Sequence, residues 1–208
     1  MVVGVLAFQG DFREHIDVLN RLHVPSVEVR TKDDLSKIDA LIIPGGESTV
    51  IAQFLAETGV GKEIVRRVHL NAGRAGFVET QHIASLQNPL MVFGTCAGAI
   101  VLARKATGKN APKTLGLIDA VVDRNAYGHQ IASFEAELKI SGIRKPVPAA
   151  FIRAPKITSV GKGVDVLAKF RGEPVLIRQG NVMIGTFHAE VRDSTDVHQL
   201  FLGLSKRI

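Results

Sequence analysis

Apolar residues fill positions 2–8 with hardly a break, the pattern of a strand buried on both faces of a sheet. Directly behind it Phe12, Ile16, Leu19 and Leu22 recur at helical spacing, and Pro25 stops that helix. Positions 26–30 and 40–43 read as the second and third strands, and a helix over 48–57 opens after Pro44-Gly45-Gly46. A further apolar run at 90–93 predicts a strand, followed by a helix-like stretch at 99–105. Strands alternating with helices predict a three-layer α/β fold, a mostly parallel central sheet with helices on both faces.

Beyond Leu115 the rhythm changes. Positions 115–122, 133–140, 150–152, 164–170, 175–178 and 182–187 are strand-like with little helix between them. This C-terminal half is expected to extend the sheet through antiparallel strands and hairpins, one of them turning at Gln179-Gly180-Asn181. Val197, Leu200, Phe201 and Leu204 mark a closing one-faced helix. Positions 71–88 hold polar clusters, glycines and scattered Phe77, Ile83 and Leu86, and read as a surface insertion.

With 208 residues, 46% of them hydrophobic, the chain suits a single domain over 1–208. Its one cysteine excludes an internal disulfide and fits a reducing compartment. The apolar start has no basic lead and runs straight into Gln9-Gly10-Asp11, so it is read as a strand rather than a signal peptide. No apolar stretch approaches the roughly 18 residues of a membrane span. The expectation is a cytoplasmic protein with no membrane partner. The formal charge of +6 comes from scattered cations, and aromatics are only 5%. That argues against nucleic acid, whose grooves need basic runs interleaved with stacking rings, and leaves a mildly basic surface that suits an acidic protein partner.

Candidate chemistry begins at Gly94-Thr95-Cys96-Ala97-Gly98, between an apolar run and a helix. A small-flanked nucleophile on a strand-to-helix turn is a nucleophile elbow, and the helix N-terminus behind it favours the thiolate that attacks carbonyl carbon. Thr186-Phe187-His188-Ala189-Glu190 ends another apolar run. On a strand His188 and Glu190 project to one side while Ala189 points away, which gives a base with its tautomer held. Cys96, His188 and Glu190 thus supply nucleophile, base and orienter. Negative charge developing on a substrate oxygen needs N–H donors; Ala97 offers one and Gly46, in Pro44-Gly45-Gly46-Glu47-Ser48, the other. Neither a dinucleotide fingerprint nor a Walker A sequence occurs, so nucleotide binding is disfavoured. His15, His23, His69, His82, His129 and His198 lack metal-ligand spacing and are expected on helix surfaces; no metal and no cofactor are expected. Arg124 and Arg153 each follow an apolar run, where each can be a pocket-rim countercharge or a solvated strand-end cation.

Three blocks, Leu-Ile-Ile-Pro-Gly-Gly-Glu-Ser-Thr at 41–49, Phe-Gly-Thr-Cys-Ala-Gly at 93–98 and Phe-His-Ala-Glu at 187–190, resemble the signatures of triad (class I) glutamine amidotransferases. Within that superfamily, the blocks at 6–15, 123–130 with 133–135, and 151–155 resemble the glutaminase subunits of pyridoxal 5'-phosphate synthase, the PdxT type. The likeness runs from the first strand to the last. It implies a class I glutamine amidotransferase-like fold and hydrolysis of L-glutamine to glutamate and ammonia. The ammonia would pass to a separate synthase subunit within a large hetero-oligomeric complex, the glutaminase being nearly inactive alone.

By motif position, the resemblance makes Cys96 the nucleophile, with His188 and Glu190 completing the triad. It gives Gly45, Gly46 and Glu47 contact with glutamine, and Arg124, Ile152 and Arg153 the holding of substrate. Gln9 and Gly10 would lie near the partner interface. Three features depart from the family's pattern: Ala189 stands where proline is usual, His129 where arginine is usual, and positions 73–88 make a longer link into the elbow strand. Rival readings are a glutaminase feeding another acceptor enzyme, such as one of histidine biosynthesis, a non-catalytic docking module, and an elbow hydrolase acting on esters.

Overall fold

The computed structural model describes residues 1–70, 89–125, 133–192 and 194–203. The insertion at 73–88, His82, His129 and Leu204 lie outside them.

The first half alternates as its hydrophobic pattern predicts. It runs β1 (Val3–Leu6), α1 (Phe12–Arg21), β2 (Ser26–Val29), α2 (Lys32–Leu35), β3 (Ala40–Ile43), α3 (Ser48–Glu57), α4 (Val60–Val68), β4 (Met91–Thr95) and α5 (Ala97–Leu102). There follow β5 (Ala103–Thr107), β6 (Ile118–Asp123), β7 (Ser133–Leu138), β8 (Val147–Ile152), β9 (Lys156–Val160), β10 (Asp165–Phe170), β11 (Glu173–Gln179), β12 (Val182–Gly185) and α6 (Asp196–Gly203).

A seven-stranded sheet has the order β10-β11-β12-β4-β3-β1-β2, parallel from β12 to β2 and antiparallel through β10, β11 and β12. Alternation along each strand sends apolar side chains to both faces. Leu41, Ile43 and Val92 join one cluster with Ile51, Ile64 and Val101, while Ile42, Phe93 and Met183 join another with Leu19, Phe151 and Phe201. These two cores make the fold three-layered. Among the described residues no helix is long and apolar enough to cross a membrane.

Several expectations need correction. The helix after Cys96 starts at once, at Ala97, and ends at Leu102, because Ala103–Thr107 leaves it to pair in parallel with β6. Only β10, β11 and β12 extend the main sheet. Strands β5, β6 and β9 form a separate three-stranded sheet, and β7 and β8 a two-stranded one. Helices α2 and α4 and strand β9 were not predicted.

The parallel register aligns the carboxyl ends of the strands. Ile43 pairs with Gly94, and Gly185 with Thr95. The segments that follow β1, β3, β4 and β12 therefore emerge side by side along one edge, where open α/β sheets place their sites.

Candidate active site

Cys96 turns the chain from β4 into α5 with φ 48° and ψ −104°, a left-handed conformation rare for a residue with a Cβ. Its N–H donates to the Gly185 carbonyl at 2.9 Å, which ties the elbow to the end of β12. The flanking glycines serve space rather than the bend itself. A Cβ on Gly94 would press on the backbone of Gly98, and one on Gly98 would overlap the Ile43 carbonyl oxygen. The elbow is thus clamped between β3 and β12.

His188 lies just past β12, which ends at Gly185 rather than at Phe187 as predicted. What holds it is a bridge to β8: the His188 N–H donates to the Ala150 carbonyl at 2.8 Å, and the Ala150 N–H donates back at 3.2 Å. The Phe-Ile-Arg-Ala-Pro block therefore begins on the last two residues of the strand that pins the histidine's backbone. His188 Nδ1 is 2.7 Å from Glu190 Oε1, and Ala189 between them is buried. Alanine in place of the usual proline costs the pair no contact. Burial pushes the His188 imidazolium toward neutrality, but hydrogen bonding to Cys96 and Glu190 outweighs it and raises its pKa to about 11. Since Glu190 occupies Nδ1, Nε2 is the ring nitrogen left for the sulfur.

Glu190 is 4% exposed, and burial alone would raise its pKa. The nearby His15 and the hydrogen bond to His188 instead lower it to about 2. Asp11 adds a second carboxylate, its Oδ2 being 3.5 Å from His188 Nδ1. Burial raises the Asp11 pKa, against the opposing pull of His188. Asp11, His188 and Glu190 could converge on one cation, but their Nδ1 and Oε1 atoms are committed to each other, which suits an acid–base site better than a metal site.

The loop after β3 closes one side. Gly45 has no room for a Cβ, which would strike His188 Cε1 and approach Asp11 Oδ2 at 2.8 Å. Gly46 has φ 140°, and a Cβ there would lie 2.7 Å from Gln9 Nε2. Gln9 Nε2 donates to the Glu47 carbonyl at 3.1 Å, and the Asp11 N–H donates to the Gly45 carbonyl at 3.4 Å. Gln9 and Gly10 therefore rest directly on the Gly45–Glu47 loop. Glu47 caps α3, accepting from the Thr49 N–H at 3.1 Å, and meets Arg124 Nη2 at 2.5 Å. Burial pushes the Glu47 carboxyl up, but Thr49 and Arg124 prevail and hold it below its ordinary value. Arg124 also donates to the Asn110 carbonyl at 2.8 Å. Ile152 ends β8 and is 41% exposed, and Arg153 follows it in a left-handed turn with φ 46°. The structure thus unites Cys96, Ala97, His188, Glu190, Gly45 and Gly46, joins Arg124 to Glu47, and leaves Ile152 and Arg153 at the exposed end of β8.

Two histidines expected on helix surfaces prove to be fully buried. His15 on α1 and His198 on α6 are both 0% exposed, and their Nδ1 and Nε2 atoms lie 2.9 Å apart. Their spacing from Val18 and Leu19, and from Val197, Phe201 and Leu202, places them on buried faces; that signal was readable in the sequence.

The SNO glutamine amidotransferase family matches residues 5–206 of this chain. The chain belongs to that family. Full-length relatives of the amidotransferase include the pyridoxal 5'-phosphate synthase subunit PdxT of Thermus thermophilus, 44% identical over 98% of this chain and 97% of that one. The protein of the same name from Pseudothermotoga lettingae is 40% identical over 99% of this chain and 96% of that one. A crystal structure of a glutamine amidotransferase superposes with a TM-score of 0.86 at 42% identity, covering 99% of this chain and all of that one. A glutamine amidotransferase from Thermotoga maritima, at 13% identity and a TM-score of 0.55 over 99% of this chain and 84% of that one, shares the fold.

Proposed function

We propose that this amidotransferase is the glutaminase subunit of a pyridoxal 5'-phosphate synthase, acting through Cys96, His188 and Glu190. Three things support the triad: the 2.7 Å contact of His188 Nδ1 with Glu190, the tie of the Cys96 N–H to the end of β12 that His188 follows, and a His188 proton affinity raised by both Cys96 and Glu190. The Cys96 sulfur attacks the side-chain amide carbon of L-glutamine, forming a C–S bond while the carbonyl electrons move onto oxygen. The Ala97 and Gly46 N–H groups meet that charge. His188 gives its proton to the departing nitrogen, ammonia leaves, and a thioester remains. Water, deprotonated by His188, then releases glutamate and restores the sulfur.

Gly45 and Glu47 line the substrate side, with Arg124, Ile152 and Arg153 as its further contacts. Gln9 and Gly10 form the edge that meets a synthase subunit in a large hetero-oligomer. Support for that role is their direct seating on the Gly45–Glu47 backbone, which lets a partner pressing there act on the oxyanion loop. The 208 residues are read as one glutamine amidotransferase domain, supported by the continuous seven-stranded sheet. A cytoplasmic setting is part of the proposal, because the chemistry needs Cys96 kept reduced.

The test is ammonia release from glutamine by the chain with its synthase partner. Cys96→Ala abolishes it; retained release by that variant refutes the nucleophile.

A further inference from the structure

The far side of Glu190 is not faced by solvent or by apolar packing. His15 Nε2 lies 3.5 Å from Glu190 Oε1 and 3.1 Å from Thr95 Oγ1, while His15 Nδ1 lies 2.9 Å from His198 Nε2. Thr95 is the residue before the nucleophile. The line Cys96, His188, Glu190, His15, His198 thus crosses from the elbow into the layer formed by α1 and α6, with every side chain after the sulfur at most 5% exposed.

Hydrogen-bond accounting fixes the protons in this line. In the 2.9 Å His15–His198 contact one ring nitrogen must donate and the other accept. If His15 Nδ1 donated, its Nε2 would be a lone pair able to accept from the Thr95 hydroxyl at 3.1 Å but also facing a buried carboxylate oxygen 3.5 Å away, a repulsive contact. The reverse arrangement satisfies both neighbours. His198 Nε2–H donates to His15 Nδ1, and His15 Nε2–H points to Glu190 and Thr95. It also accounts for His198 Nδ1, which is buried with no partner among the described residues: in this tautomer it carries no hydrogen. Glu190 Oε2 likewise has no partner among the described residues, so the carboxylate depends on donors reaching Oε1.

We propose that His15, held by His198, is a positioning residue for the amidotransferase reaction: as a neutral Nε2–H donor it keeps Glu190 ionised and aimed at His188 Nδ1. The inference rests on the triad assignment and extends it. Groups facing His15 are Glu190, His188, Asp11 and Glu14; Arg21, Glu190 and His15 face His198. Burial disfavours the imidazolium at both, and the net shift is downward at each, consistent with neutral rings. Without the His15 donor Glu190 is no longer held on His188 Nδ1, and loss of that hydrogen bond lowers the proton affinity of His188, faced by Cys96, Glu190 and Asp11.

Two readouts test this. In the uniformly 13C,15N-labelled wild-type chain, ring 15N shifts at neutral pH should show His15 and His198 both neutral and both protonated at Nε2. A protonated Nδ1 on His15, or an imidazolium at either position, overturns the proposal whether or not any variant folds. For kinetics with the synthase partner, His15→Leu should lower kcat roughly tenfold at unchanged KM and move the alkaline limb of the pH profile to lower pH. His15→Gln, whose amide nitrogen can stand at the Nε2 position, should restore most of kcat; His15→Asn, which mimics Nδ1, should not. Equal losses for Gln and Leu, or no loss for Leu, would leave His15 a packing residue only. Failure of the triad itself shows differently, as ammonia release by Cys96→Ala with the tautomers unchanged.

Discussion

Cys96 sits at φ 48° and is 8% exposed, so the proposed nucleophile is held in a conformation that an L-residue adopts only at a cost. That cost is of order 1–3 kcal/mol and is sustained by the surrounding clamp, the Gly185 carbonyl on its N–H and Ile43 against Gly98. Strain of this kind separates two inactivating substitutions. Cys96→Ala keeps the Cβ and the strain, whereas Cys96→Gly removes both at a cost in unfolded-state entropy of about 0.5–1 kcal/mol. The glycine variant is expected to be the more stable of the two by about 1 kcal/mol, read from urea unfolding midpoints. An alanine variant as stable as the glycine one would show that the elbow is unstrained. Cys96, His188 and Glu190 were legible in the sequence because each sits at the end of an apolar run with small neighbours. The burial of His15 and His198 was readable from their helical spacing, but their role was not, because it lies in a contact across 183 positions.

Helix α5 carries the elbow and spans only Ala97–Leu102, all of it buried. Its place is set by contact rather than by length: Gly98 lets the first turn lie on the end of β3, so that the Gly45–Glu47 loop and the Cys96 sulfur share one edge. Gly98→Ala is therefore expected to push α5 from β3, costing about 1–3 kcal/mol of stability and most of the glutaminase rate. Thermal melts alongside ammonia release check it, and a variant of native stability and rate would mean that the two elements can part freely. The same contact explains what the periodicity missed. Positions 99–105 look helical, yet helix gives way to strand at Ala103 because β6 offers Ala103–Thr107 a partner. No local signal announces a pairing partner so far along the chain. Helix α4 escaped notice for another reason: buried Arg67 interrupts its apolar face, donating to the Leu35 carbonyl and, at 3.0 Å, to the Ile38 carbonyl.

Across the whole molecule, two apolar cores sandwich the sheet, and the buried histidine pair belongs to the core on the α1 and α6 side, where His198 meets Phe93 edge-on at 6.1 Å. Placing titratable rings in a core links global stability to pH. The folded-state pKa of His198 falls to about 3, driven by burial and by His15, and that of His15 is lowered by burial, while the unfolded chain titrates near 6.5. Below pH 6.5 the unfolded state therefore binds more protons, and stability falls as the pH drops through that window. Glu190, lowered from 4.5 to about 2, adds its loss only below pH 4.5. His188 works on the opposite flank: its raised pKa supplies stability that is complete below 6.5 and is lost as the pH rises toward 11. Between pH 6.5 and 4.5 the decline thus belongs mainly to the histidine pair. With His198 alone titrating from its unfolded value of 6.5 down to pH 4.5, the loss is roughly 2–3 kcal/mol. Urea midpoints measured from about pH 7 to 4.5 should show this decline in the wild type and a shallower one in His198→Gln, whose amide cannot titrate. Equal slopes in the two proteins would mean that His198 takes up its proton without unfolding the chain, and that the core admits an imidazolium beside Glu190.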